Sequence, residues 1–183
     1  ERSMVGPDGL SPSSKFAIDF YQNFVFSDPH WDYRDYDFAN WKQDIAKVSA
    51  MLDATSTDLS GFKKREGKII FWTGWSDHLI TALGTVDYYD KLTSVDTEVN
   101  QYSRLYMLPG MFHCGGGPAP DRADWLEAIR AWVEDGKAPE RLVSQQLDQD
   151  GRIIRTRPIC PYPQTASYKG GGDPNDESSF ICK

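Results

Sequence analysis

The chain is 183 residues long, room for one ordinary domain with a sizeable core. Its 39% apolar and 26% charged residues describe a soluble globular protein, with no run approaching the roughly 20 apolar residues of a membrane span. Lys and Arg total 20 against 27 Asp and Glu, a net charge of −7 without any basic cluster, which argues against nucleic-acid binding because phosphate contacts need grouped Lys and Arg. Glu1-Arg2-Ser3 is polar from the outset and does not read as a secretory signal, so any targeting segment was removed or lies elsewhere. Aromatic residues make up 13%, which suits stacking on sugars or aromatic ligands but more commonly builds core.

In chain order, residues 1–36 show no clean period, because Pro7, Gly9, Pro12 and Pro29 interrupt every candidate element. Phe16 to Phe26, then Trp31, Tyr33, Tyr36 and Phe38, form a dense aromatic region whose apolar surface needs a partner to pack on. Trp41, Ile45, Val48 and Leu52 recur at helical spacing, with Asn40 placed to cap the helix. Asp53 to Gly61 reads as a polar connection and Lys63 to Gly67 as a solvated turn. Lys68-Ile69-Ile70-Phe71-Trp72-Thr73 is a continuous run of β-favouring residues, the pattern of a parallel strand buried on both faces. It ends in Gly74-Trp75-Ser76-Asp77-His78, and Thr81 to Leu92 follows with helical spacing. A polar linker, Thr93 to Gln101, leads to a second strand at Arg104 to Leu108. A glycine-rich loop then gives way to a helix over Asp121 to Glu134, whose buried face is read as Trp125, Ile129, Trp132 and Val133, ended by Gly136 and Pro139. Strand, helix, strand, helix implies a right-handed parallel βαβ unit of an α/β fold. Two parallel strands are too few for a stable sheet, so the chain reads as one flank of a larger domain.

Functional groups of open α/β sheets gather beyond the carboxyl ends of the strands. Asp77 follows the first strand and His113 the second, so neighbouring parallel strands would bring a carboxylate and an imidazole together. Such a pair serves nucleophilic catalysis: the carboxylate fixes the tautomer and orientation of the imidazole, which takes a proton from a serine. Asp77 also reads as a turn or cap residue before the helix, and His113 as a loop residue that only bonds its surroundings. The order Asp then His is that of α/β hydrolases, yet no G-x-S-x-G elbow occurs in the chain.

The three cysteines are Cys114, Cys160 and Cys182, with no short spacing of a zinc site. Cys160 and Cys182 flank a loop-like stretch rich in Pro, Gly, Ser and Asp, where a disulfide would replace the core such composition cannot build. Cys114 is then a buried thiol or bonds to a cysteine on another chain.

Several motifs in order make the chain resemble the C-terminal part of the tannase and feruloyl esterase family, α/β hydrolases that include mono(hydroxyethyl) terephthalate hydrolases. They are Gly67-Lys68-Ile69-Ile70, Gly74-Trp75-Ser76-Asp77, Gly84-Thr85-Val86-Asp87-Tyr88-Tyr89, the run from Leu108 through His113-Cys114 to Pro118, Trp132-Val133-Glu134, the run from Arg155 to Pro163, and Tyr168-Lys169-Gly170. The resemblance covers residues from about 55 onward and is weaker before that. It implies the C-terminal flank of an α/β-hydrolase fold, residues 37–183, with residues 1–36 as the end of a lid domain. It further implies Asp77 as the triad acid, His113 as the base, and Cys114 as half of a disulfide to the cysteine that precedes the catalytic serine in that family.

The cysteine-serine segment, the oxyanion-hole donors and most of the lid with its structural calcium site are missing from this sequence. The expectation is therefore a proteolytically processed precursor whose N-terminal portion is a separate chain joined through Cys114, in a secreted or periplasmic protein. The activity implied is hydrolysis of aromatic acyl esters, with no cofactor for catalysis, no metal held by this chain, and no nucleic-acid or membrane partner. His78, Leu79 and Ile80 are candidates for the wall of an aromatic acyl site. Two rivals belong to other classes: an aromatic- or carbohydrate-binding module using Trp31, Tyr33, Tyr36 and Trp75, and a structural subunit.

Overall fold

The computed structural model describes residues 9–183, so Pro7 and the first eight residues of the expected lid segment lie outside the described residues. The chain divides into two compact units between Thr55 and Ser56.

In the N-terminal unit, Ser11 starts helix α1 (Pro12–Phe20) by accepting the Ser14 backbone N–H at 3.1 Å. The helix widens into a single π-turn, Tyr21–Val25. Its aromatic region packs largely on itself: Tyr21 stacks on Trp31 at 5.2 Å between ring centroids, and Tyr36 meets both edge-on. The Tyr36 hydroxyl donates to Asp44 at 2.9 Å, tying this box to helix α2 (Trp41–Leu52). Asn40 does not cap α2 as expected, because it already closes the preceding 3-10 turn, Phe38–Asn40, which Asp37 caps. Phe16, Phe24 and Phe38 remain exposed.

The C-terminal unit opens with a single helical turn, α3 (Ser60–Lys63), and then β1 (Ile69–Gly74), α4 (Ala82–Val95) and β2 (Ser103–Leu108) form the βαβ unit. The two strands are parallel and in register from Ile69 opposite Ser103 to Gly74 opposite Leu108. Successive side chains of β2 point to opposite faces of the sheet. On one side Leu105 packs with Val86, Tyr89 and Leu92 of α4. On the other, Tyr106 and Leu108 pack with Met111, Ile159 and Trp125. Fully burying residues such as Leu92, Leu105 and Leu108 contributes about 1.5–3 kcal/mol each.

The expectation that β1 is buried on both faces is met only in part. Trp72 stacks on Trp125 at 5.0 Å, yet 44% of its surface stays exposed.

Helix α5 (Trp125–Asp135) starts later than its sequence pattern, because the Asp121 and Arg122 amides both donate to the Gln145 carbonyl instead of entering a helical turn. Asp124 caps it by accepting the Glu127 amide, and Gly136 ends it in the left-handed conformation at φ 68°. Ala128 and Trp132 form its buried core; Val133, expected on that face, is exposed, because it follows Trp132 directly and so turns about 100° away from it around the helix. Strands β3 (Leu142–Leu147) and β4 (Ile153–Ile159) make an antiparallel hairpin. The free edge of β2 is covered where Tyr162 donates its amide to the Leu105 carbonyl at 2.8 Å. Short strands β5 (Ala166–Tyr168) and β6 (Phe180–Cys182) pair antiparallel, and Cys160 is bonded to Cys182.

Candidate active site

The last residue of β1, Gly74, lies directly opposite Leu108, the last of β2, so the loops that follow leave the sheet side by side. They are stitched together: Trp75 donates its amide to the Leu108 carbonyl at 3.0 Å and Ser76 donates to Met111 at 3.2 Å. The contact requires a residue without a β-carbon. An alanine methyl at 74 would sit 2.1 Å from the Met111 carbonyl oxygen.

Across this seam the Asp77 carboxylate meets the His113 imidazole, with Oδ2 2.9 Å from Nδ1. Its other oxygen, Oδ1, accepts the backbone N–H groups of Leu79 and Ile80, both at 2.9 Å. Asp77 thus uses one oxygen as a turn-forming acceptor before α4 and the other as a partner of the imidazole.

Desolvation pushes the carboxyl upward, but the Ile80 amide, the His113 ring and the Leu79 amide outweigh it and hold the pKa near 2. An ionised Asp77 can only accept, so Nδ1 of His113 carries the proton, and Nε2 is the basic nitrogen of the neutral ring. The His113 side chain is 41% exposed, against 5% for Asp77. An orienting carboxylate is covered, and an imidazole is presented outward.

The loop carrying His113 is held by few bonds. Phe112 donates its amide to the Gly116 carbonyl at 3.1 Å, and Gly116 donates to the Asp121 carboxylate at 2.6 Å. At Gly117, where φ is 101°, a β-carbon would strike the Gly110 carbonyl at 2.1 Å. Cys114 is an exposed free thiol whose φ of 59° turns the chain immediately after His113.

The flanking candidates fall around this pair. His78 is exposed and meets the Phe112 ring edge-on at 5.8 Å. The side chains of Leu79 and Ile80 are exposed beside the dyad, together with Phe112 and Trp75. Phe112 and Asp121 were not singled out in the sequence, where nothing distinguishes them from the rest of a glycine-rich loop and a helix start. Among the described residues no three His, Cys, Asp or Glu side chains converge on a point that could hold a metal ion. No helix among the described residues is long and apolar enough to cross a membrane.

Residues 3–183 match the model of a family described as tannase and feruloyl esterase. A mono(2-hydroxyethyl) terephthalate hydrolase of Piscinibacter sakaiensis is 48% identical over 131 residues, which are 70% of this chain and 22% of that protein. A probable feruloyl esterase of Arthroderma benhamiae is 32% identical over 187 residues, covering 96% of this chain and 35% of that protein. The chain therefore spans about a third or less of the length of these relatives. The crystal structure of an esterase from Aspergillus oryzae superposes with a TM-score of 0.83 at 24% identity, over 99% of this chain and 44% of the other; the likeness speaks for the α/β fold.

Proposed function

We propose, from the premise that the chain belongs to the tannase and feruloyl esterase family, that it supplies the acid and base of a carboxylic ester hydrolase acting on aromatic acyl esters. The observation that carries this reading is the 2.9 Å contact between Asp77 and His113 at the ends of adjacent parallel strands. Nε2 of His113 takes the proton of a serine hydroxyl as its oxygen attacks the ester carbonyl. The imidazolium so formed is stabilised by Asp77 and passes its proton to the departing alcohol, leaving an acyl-enzyme. The ring then activates water, which releases the acid and restores the serine. The exposed apolar side chains of Leu79 and Ile80, with His78, form part of the wall that receives an aromatic acyl group.

The serine and the oxyanion-hole donors belong to the portion of the protein outside this chain. That portion completes the α/β-hydrolase sheet, of which residues 37–183 are the C-terminal flank, and the lid, of which residues 1–36 are the end. A structural calcium belongs there as well. Cys114, exposed beside His113, bonds to the cysteine that precedes the serine, which ties nucleophile to base. The Cys160–Cys182 bond supports an oxidising location, secreted or periplasmic. Non-reducing and reducing mass spectrometry tests the bridge: reduction must release or unmask Cys114, and a free Cys114 thiol before reduction overturns it.

His113→Ala in the assembled protein tests the dyad with an aromatic ester substrate. Turnover falls by several orders of magnitude while the fold is retained; near wild-type turnover would overturn the assignment.

A further inference from the structure

Strand β4 carries Arg155 and Arg157 two positions apart, so both side chains leave the same face of the strand. Both border a cavity of about 310 Å³ whose other walls include Trp75, Met107, Tyr162 and Phe180. The Arg157 guanidinium lies 4.4 Å from the centre of the Phe180 ring. Among the described residues its one hydrogen bond runs from Nη1 to the Thr156 carbonyl at 2.8 Å, and Arg155 donates through Nε to the Asn175 side chain at 3.1 Å. Among the described residues neither guanidinium forms an ion pair, although Asp173 lies near enough to favour the charge of Arg157. Burial, then the like charge of Arg155, lower the pKa of Arg157. Two like charges therefore stand against an apolar space with donors to spare, an arrangement that an anion would relieve.

We propose that this cavity binds a small aromatic carboxylate, its anionic group on Arg157 with Arg155 beside it and its ring against Trp75 and Phe180. The volume is at the lower end of small-molecule sites, which run from roughly 300 Å³ upward, and suits a single ring. The forked guanidinium matches a carboxylate in two parallel hydrogen bonds, and the aromatic walls take the ring. Neither Asp77 nor His113 lines the cavity, so occupancy requires no turnover and does not rest on the hydrolase reading.

Titration calorimetry of the whole protein with benzoate is the test, in the wild type, in His113→Ala and in Arg157→Gln. Saturable binding that survives His113→Ala and weakens roughly tenfold or more in Arg157→Gln is the expected result. Benzamide, the neutral isostere, separates charge recognition from misfolding, since it should fail to bind the unaltered protein. Absence of benzoate binding at millimolar concentration, equal binding by Arg157→Gln, equal binding of benzamide, or equally tight binding of acetate would each overturn the proposal.

Discussion

The carbonyl of Met111 occupies the space that a side chain on Gly74 would need: an added β-carbon would lie only 2.1 Å from it. Strand end and histidine loop are thus in backbone contact, three residues before Asp77 on one side and two before His113 on the other. Gly74→Ala must push the loop outward by about an ångström, a displacement that costs catalysis on the order of a hundredfold. The expected outcome is a loss of that size in kcat with an intact far-ultraviolet circular dichroism spectrum. Unchanged kcat would show that the seam does not set the dyad.

Replacing Asp77 by Asn removes the charge that accepts from Nδ1 and lets the ring adopt the other tautomer. Turnover should fall by several orders of magnitude, roughly 10⁴-fold by analogy with other triads. Stability responds with a definite sign. The folded pKa near 2 lies below the ordinary value of 3.8, so the contribution of ionised Asp77 is complete above about pH 4 and is lost as the pH falls toward 2. Denaturant unfolding of wild type and Asp77→Asn at a series of pH values checks this: the gap between them should narrow across that window.

Asp121 reaches back from its backbone anchor on Gln145 to hold the Gly116 amide at 2.6 Å. Asp121→Ala should leave the sheet intact and loosen the loop around His113, destabilising by about 1 kcal/mol. Amide hydrogen exchange at Gly116 should accelerate, and kcat should fall more than KM rises. Unaltered exchange at Gly116 would remove Asp121 from this role.

The Cys160–Cys182 bond closes a segment with a sequence separation of 22 residues. Changing both cysteines to serine should destabilise the protein by about 3 kcal/mol through the entropy of the opened chain. The shift in urea midpoint measures it, and the hairpin of β5 and β6 should exchange its amides first.

How much of this was legible in the sequence depended on how local the cause was. The β-branched and aromatic run at Ile69, the helical spacing of Val86 and Tyr89, and Gly136 as a helix stop all act within one element, and each was readable. The juxtaposition of Asp77 and His113, 36 positions apart, was readable only because parallel strands fix where their following loops go. What escaped depended on distant partners. The Gln145 carbonyl captures Asp121 and Arg122 and delays α5; the turn before Trp41 takes Asn40 out of service as a cap; stacking on Trp125 leaves one edge of Trp72 open. In the β3–β4 hairpin the polar run Ser144-Gln145-Gln146 interrupts the apolar pattern of β3, and Pro158 stands inside β4, so neither strand shows a clean alternation; a stretch between the two cysteines that reads as loop contains β5 and β6.

The acid is held by the amide groups of positions 79 and 80, and every residue except proline has that amide. Side chains at those two positions can therefore be exchanged for larger, smaller or more polar ones while the carboxylate keeps both amide bonds. On the acyl-site reading proposed above, selectivity would drift at these two positions with the Asp77–His113 pair left in place.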